Sequence, residues 1–281
     1  MNPKTSSQVQ FFSADGLTVT ASEQWFKVKV QVIERYLQAF VGNVAGRADE
    51  IIFVDLFAGS GLYSVGHQKE IFPGAALSSL VSGLPISQWI CCERDAGQTH
   101  ALKARVNRYF REKNIVIVET PLETLFDKLS SLVPQSKSGH KVAVFCLADP
   151  FSIELPFVLL NKLASLGWNF LIPFTFPLNH MTSHIFYTEE QRDRLQRYLG
   201  IAEVDRLASV ESNLQFYQRL VRTYHNNMLV LGMNAALSVH KLESTLMDLP
   251  SFYIGFFSKK ISTRAVQEEV QSSEYLQFEL F

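Results

Sequence analysis

Short apolar, β-branched runs alternate along this chain with segments whose apolar residues recur every three or four positions. That rhythm predicts strands and helices in turn. Residues 1–21 carry Ser, Thr, Asn and Gly with little periodicity and read as a loose, flexible arm. A helix begins at Ser22, with Phe26, Val30, Ile33, Leu37 and Val41 on its apolar stripe and Lys27, Gln31, Glu34, Arg35 and Gln38 elsewhere; Gly42 and Gly46 punctuate its end. Residues 51–57 form a continuous apolar run closed by a glycine turn, the pattern of a strand buried on both faces. Further strands are predicted over residues 87–93, 115–119, 141–149 and 168–174, and helices over 95–111, 122–133 and 153–166. Alternation at this spacing implies right-handed βαβ units and a parallel sheet covered on both faces.

After Pro177 the rhythm changes. Residues 178–233 hold helical stretches with no strand between them and read as a helical insertion. Two strands, 234–242 and 251–258, follow with a connection short enough to make them an antiparallel pair. The expected architecture is α/β: one domain over residues 22–281 with a mostly parallel seven-stranded sheet, an antiparallel terminal strand and the insertion. That arrangement is similar to the Rossmann-like fold of class I methyltransferases.

Composition narrows the setting. The 281 residues suit one large α/β domain with an insertion. Hydrophobic residues make up 47% of the chain, 22 residues are Phe, and charged residues are only 19%, so either the core is large or aromatic surface faces a partner or a deep pocket. A net charge of -1 excludes a global positive field that would draw nucleic acid, and equally a strongly acidic tail. Cys91, Cys92 and Cys146 lie in strand-like runs and read as reduced core thiols; no CxxC pair points to zinc. The N-terminus has no long apolar stretch of the signal-peptide kind, and no run approaches the roughly 20 apolar residues that span a bilayer. The expectation is a cytoplasmic protein with no membrane segment.

Candidate chemistry gathers at the strand ends, since ligands of open α/β sheets bind beyond the carboxyl ends of the strands. The first strand of the βαβ series ends in Asp55-Leu-Phe57-Ala58-Gly59-Ser-Gly61. Gly59 and Gly61 permit a tight turn and close approach of a ligand to backbone. The spacing lacks the third glycine of a dinucleotide fingerprint. Asp55 can pair with a ligand ammonium or organise the loop, and a methionine-derived cofactor carries such an ammonium where a dinucleotide does not. The next strand ends at Glu93, placed to accept the hydroxyls of a ribose, with Asp95 as the cap of the following helix. The loop at Glu119-Thr120-Pro121 would lie beside an adenine. The fourth strand ends in Asp149-Pro150-Phe151, an acid, a rigid turn and an aromatic face; enzymes that methylate exocyclic amines use this geometry. Either role has a plainer counterpart: a turn cap at Asp55, a strand end and a core ring at Asp149 and Phe151.

Other residue patterns carry less. His180 and His184 have i, i+4 spacing but no evident third metal ligand. Cys91 and Cys92 sit inside an apolar strand, where a thiol is inert. Ser60 is not in a G-x-S-x-G elbow, because the residue two before it is Ala58. Arg192, Arg194 and Arg197 fall at near-helical spacing and could meet phosphate or simply solvent. The C-terminal Gln277-Phe-Glu-Leu-Phe281 resembles the peptide by which bacterial DNA enzymes dock on the sliding clamp, though it also suits a packed terminal strand.

Taken in order, Lys29, Tyr36-Leu37, Val54-Asp-Leu-Phe-Ala-Gly-Ser-Gly61, Pro73-Gly-Ala-Ala-Leu, Glu93, Asp149-Pro-Phe151 and Phe252-Tyr-Ile-Gly-Phe-Phe-Ser-Lys259 resemble the three-Cys-motif partner protein (TcmP) family over most of the chain. The family name refers to cysteines of a partner, not to the three here. The resemblance implies a methyltransferase-like fold holding S-adenosylmethionine at Asp55, Gly59, Gly61 and Glu93, and Phe57 and Ala58 of the same turn are added here as candidate cofactor residues. It also implies Asp149 as the residue facing a substrate and a three-Cys-motif protein as partner; Pro150 and Phe151 join Asp149 as candidates from the strand-end pattern, for an amine that could belong to a nucleic acid. This chain has Ser152 where that family shows glycine after the aromatic. Guanine-N2 methyltransferases of small-subunit rRNA share the glycine turn but carry two prolines before the final aromatic. Cytosine-5 DNA methyltransferases share Asp-Leu-Phe-Ala-Gly but need a Pro-Cys nucleophile, which is missing here. Two functions follow: a methyltransferase acting on an amine, or a non-catalytic partner protein built on the same scaffold.

Overall fold

A computed structural model describes residues 12–278, with side chains as far as residue 272. The strands are β1 (Thr20–Ser22), β2 (Glu50–Asp55), β3 (Leu62–Val65), β4 (Glu70–Pro73), β5 (Gln88–Glu93), β6 (Ile115–Glu119), β7 (Val142–Leu147), β8 (Asn169–Pro173), β9 (Asn234–Lys241) and β10 (Ser251–Ser258). The helices are α1 (Trp25–Val44), α2 (Ala75–Val81), α3 (Ala96–Tyr109), α4 (Leu122–Leu132), α5 (Phe157–Ser165), α6 (His184–Thr188), α7 (Arg192–Leu199), α8 (Asp205–Ala208), α9 (Asn213–Val230) and α10 (Thr263–Phe278). Seven strands form one sheet in the order β6-β5-β2-β7-β8-β10-β9. β5 runs parallel to β2 and β6, whereas β10 is antiparallel to both β8 and β9. This is the α/β sheet expected from the sequence, with the last strand of the chain inserted beside β8 rather than placed at the edge.

The chain divides at Phe145 and Cys146 into two compact units. In the first, the apolar run of β2 is buried from Ile51 to Asp55, and Phe53 stacks on Phe145 at 6.0 Å between ring centroids. The predicted α1 stripe of Phe26, Val30, Ile33, Leu37 and Val41 is buried throughout. Between Gly61 and Gly74 the chain makes a hairpin, β3–β4, that the sequence did not foretell; β1 adds to it in parallel, giving a small sheet of order β1-β3-β4. Strands of three and four residues are too short to display a period of two. Val65 and Phe72 of this sheet pack on Phe26 and Val30 of α1, with Tyr63 against them. The expected loose arm is described from Phe12, whose ring meets Tyr109 and Phe110 at the end of α3; residues 1–11 lie outside the described residues.

In the second unit the insertion consists of α6 to α9, inside the predicted 178–233. Aromatic residues gather there and in the segment leading into it: Phe174, Phe176, Tyr187, Phe216, Tyr217 and Tyr224 are all buried. The Tyr217 hydroxyl donates to the Phe174 carbonyl at 2.8 Å and accepts the Tyr253 amide at 2.9 Å, so α9 is pinned at two points beyond β8 and on β10. α10 was not expected, because Val266 and Val270 are the only buried apolar residues of its side-chain-resolved part and make too sparse a stripe. Gln277 and Phe278 of the clamp-like peptide fall in the backbone of α10 rather than in a strand, and residues 279–281 lie outside the described residues.

Candidate functional site

The glycine turn after β2 is fixed residue by residue. Asp55 is buried, and its Oδ1 accepts the Phe57 amide at 3.0 Å, closing the turn two residues on. The Ala58 amide donates to the Cys92 carbonyl of β5 at 2.9 Å. The Gly59 amide donates to Glu93 Oε2 at 3.0 Å, and the Gly61 carbonyl accepts the Gly74 amide at 2.8 Å. Gly59 and Gly61 have φ of +59° and +83°, the left-handed region where a side chain is strained. A Cβ at Gly61 would also lie 2.9 Å from Leu77 of α2 and Leu102 of α3.

Glu93 ends β5, half-buried, with its carboxylate turned toward the bend. Its Oε1 accepts the amides of Arg94 and Asp95, both at 2.8 Å. A carboxylate offers about four acceptor sites, so one remains beyond these three bonds. Asp95 caps α3 through the Gln98 amide at 2.8 Å, as the sequence predicts. The two acids at neighbouring parallel strand ends therefore converge on one turn, Asp55 from within and Glu93 from beside it.

α3 supplies what the sequence reading missed. Gln98, Leu102 and Arg105 recur at helical spacing, and each meets the turn. Gln98 Oε1 lies 3.2 Å from where a Cβ of Gly59 would sit; Leu102 fills the space beside Gly61; Arg105 Nη1 donates to the Ser60 carbonyl at 2.6 Å. The signal was present in the sequence: Arg105 is a charged residue on a stripe with Ala101, Leu102 and Val106, all of them buried.

In the second unit, Asp149 follows β7 and is half-buried, with Oδ1 accepting the Thr175 hydroxyl at 3.3 Å. Phe151 has φ of +49°. A bulky residue in the left-handed region is a backbone outlier that costs about 1–3 kcal/mol and concentrates at functional sites. The left-handed position of this turn is thus the aromatic itself, and Ser152 instead accepts the Glu154 amide with its Oγ at 3.3 Å.

The remaining candidates have other duties. Glu119 pairs with Lys103, and Pro121 is the N-cap of α4, with Thr120 bonded to Thr124. His184 is engaged by its backbone amide and its Nδ1 with Asn213 Oδ1, and no group of three or more metal-ligating side chains occurs among the described residues. The three cysteines are unpaired with one another and buried, and burial pushes the Cys91 thiol well up, away from reactivity. Arg192 pairs with Asp205, and Arg197 bonds the Asp193 carbonyl one turn back. No helix among the described residues is long and apolar enough to cross a membrane.

No protein-family model and no curated protein matches the sequence. Among solved structures, a Legionella pneumophila protein of a family of unknown function, LPL1258, superposes with a TM-score of 0.51 at 8% identity, over 86% of this chain and 89% of its own. A Bacillus cereus O-methyltransferase in complex with S-adenosylhomocysteine gives 0.43 at 10% identity, over 82% and 80%. Trm1 from Pyrococcus horikoshii with S-adenosyl-L-methionine gives 0.43 at 13%, over 85% and 57%. What the first of these likenesses establishes is the fold alone, an α/β architecture shared over most of both chains.

Proposed function

We propose that the chain is an S-adenosylmethionine-dependent methyltransferase whose cofactor lies on the turn from Asp55 to Gly61. The observation that supports this most is the Glu93 carboxylate aimed at the Gly59 amide, an acid and a side-chain-free bend at the ends of adjacent parallel strands. The residues present fit the group. Positive φ at Gly59 and Gly61 sets the bend, and Gln98 Oε1 and the Tyr63 hydroxyl lie 3.2 and 3.4 Å from where a Cβ of Gly59 would sit, so polar groups line it. Glu93 has an acceptor site for a ribose hydroxyl, and Asp55 places negative charge beneath the turn for an ammonium. When bound, S-adenosylmethionine supplies an electrophilic methyl group on a sulfonium.

The chain's own part is to hold and orient. Phe57 and Ala58 shape the turn through their amides, and Glu93 fixes the ribose. Asp149, Pro150 and Phe151, beyond the carboxyl end of β7, are the proposed substrate residues. The Asp149 carboxylate, steadied by Thr175, would accept hydrogen bonds from an amine, and the Phe151 ring would stack on a planar substrate such as a nucleobase. The backbone strain at Phe151 supports that assignment over a plain core ring. Calorimetry with S-adenosylmethionine and S-adenosylhomocysteine tests the cofactor. Radiolabelled methyl transfer to RNA, DNA and protein pools tests the reaction, and binding without transfer would count against catalysis.

One observation favours the second reading, a non-catalytic partner protein as the TcmP resemblance implies. Met181, Ile185, Leu214 and Leu246 are exposed on segments joined by hydrogen bonds from Asn179 to Leu246, Asn213 to Asn179 and His184 to Asn213. Such a cluster suits a protein partner. A stable heteromer that survives Asp149→Ala would support it, and loss of the heteromer on that change alone would argue against it.

A further inference from the structure

Arg105 is a long charged side chain buried to 1% exposure inside the first unit. Its guanidinium forks onto Asp15, Nε to Oδ2 and Nη2 to Oδ1, each at 2.8 Å, and the Asp15 side chain is itself 6% exposed. The remaining nitrogen, Nη1, is shared between two backbone carbonyls, Thr18 at 2.9 Å and Ser60 at 2.6 Å. A buried charge is expensive unless every donor finds a partner, and here one cation serves two segments 42 residues or more apart in sequence. A bidentate carboxylate fork is a geometry that arginine provides and lysine does not.

The position of Ser60 makes this bond consequential. Ser60 sits between Gly59 and Gly61, the two residues of the turn with the widest conformational freedom. A turn with glycine on both sides of its centre is soft unless that centre is held. Ser60 is held twice, by its own hydroxyl donating to the Leu62 carbonyl at 3.0 Å and by Arg105 on its carbonyl. A second link lies one residue away: the Thr20 hydroxyl donates to Gln98 Oε1 at 3.4 Å, the same atom that lies against Gly59. β1 then carries the arm on by pairing Thr20 with Tyr63 and Ser22 with Val65, beyond the turn.

We propose that Arg105 is a positioning residue for the glycine turn, and that residues 15–20 act through it as a strap that belongs to the cofactor site. The proposal rests on the cofactor reading given above. It assigns the segment before β1 a role in ligand affinity, where the sequence pattern shows only a polar arm. The cofactor contacts remain those of the turn and Glu93; Arg105 and Asp15 act by fixing the shape those contacts require.

The test compares S-adenosylhomocysteine affinity by calorimetry with amide hydrogen exchange of residues 57–61, in wild type, Asp15→Asn, Asp15→Glu and Arg105→Lys. Ile33→Val, a core change in α1 away from the turn, controls for lost stability. Asp15→Asn should weaken binding by about tenfold or more and speed exchange in the turn, with partial rescue in Asp15→Glu and wild-type affinity in Ile33→Val. Arg105→Lys should follow Asp15→Asn; should it fail to fold, the milder Asp15 variants carry the comparison. Wild-type affinity and unchanged turn exchange in Asp15→Asn would overturn the proposal. Absence of binding by the wild type would overturn the cofactor reading, and with it the strap's role at such a site; the exchange data would then decide separately whether Arg105 holds the turn.

Discussion

Glu93 Oε2 accepts the Gly59 amide at 3.0 Å, joining the end of β5 to the bend that follows β2. With the amides of Arg94 and Asp95 on its other oxygen, the carboxylate has about one acceptor site left. A vicinal diol brings two hydroxyl donors. On the proposed function, the remaining site on Oε2 would accept one of them beside the Gly59 amide.

Gly61 should be the least replaceable glycine of the turn. Gly61→Ala forces a left-handed backbone on a side chain and drives Cβ to 2.9 Å from Leu77 and Leu102. Overpacking alone costs about 1–3 kcal/mol, and the backbone conformation adds to it. Gly83 also has positive φ but meets no atom within 4 Å, so Gly83→Ala isolates the backbone contribution. Urea denaturation should show the Gly61 variant to be distinctly the less stable of the two; equal losses would contradict the packing argument.

Asp15 should contribute an acid-sensitive part of the stability. Its hydrogen bonds with Arg105 hold its carboxyl below the usual value of 3.8, against the opposing effect of burial. For a depressed carboxyl, the stabilisation is fully present above the unfolded pKa and is lost as pH falls through the lower folded value. The stability difference between wild type and Asp15→Asn should therefore be constant near neutral pH and shrink below about pH 4. Urea midpoints measured from neutral pH down to the acid limit check this; a difference independent of pH would contradict it.

Phe151 should separate stability from function. Phe151→Gly removes a half-buried ring but also relieves the strain of φ +49°. Truncating a core Phe commonly costs about 3–5 kcal/mol, whereas this change should cost less than about 1.5 kcal/mol because the relieved strain offsets it. Methyl transfer should nevertheless be lost while cofactor affinity stays. A large stability loss would mark Phe151 as a plain core residue.

Two tyrosines of α9 should respond in opposite directions to the same substitution. Tyr217→Phe deletes a hydroxyl that satisfies both the Phe174 carbonyl and the Tyr253 amide, and leaving a buried backbone group unpaired costs about 1–3 kcal/mol. Tyr224 is equally buried, but its hydroxyl has no hydrogen-bond partner among the described residues. Tyr224→Phe should be neutral or stabilising, because it removes a buried polar group that nothing satisfies. Thermal or urea unfolding of the two single variants distinguishes them; loss of stability in Tyr224→Phe would mean that its hydroxyl has a partner after all.

The sequence made the main sheet legible because each of its strands is long enough, and apolar enough, to stand out against the amphipathic helices around it. Residues 51–57 and 251–258 are the clearest cases, and β6 and β10 have the predicted bounds. The strand-end acids were legible for the same reason: Asp55 and Glu93 interrupt apolar runs at the point where the chain must turn. The small β1-β3-β4 sheet was not, since strands of three or four residues have no period to show. Arg105 stood out only as a charge on an apolar stripe, which says nothing of what it holds. Its partners Asp15, Thr18 and Ser60 are far from it in sequence and two of them are backbone carbonyls, which no residue pattern records. The left-handed backbone of Phe151 leaves no trace in residue type, and the sequence directed attention to Ser152 instead.

The most direct test is calorimetry of S-adenosylhomocysteine with the wild-type protein and with Glu93→Gln. The account predicts one-site binding to the wild type and a loss of about ten- to hundredfold in the variant, the range expected for a hydrogen bond to a charged group. No heat of binding to the wild type, or equal affinity in the two proteins, would contradict it.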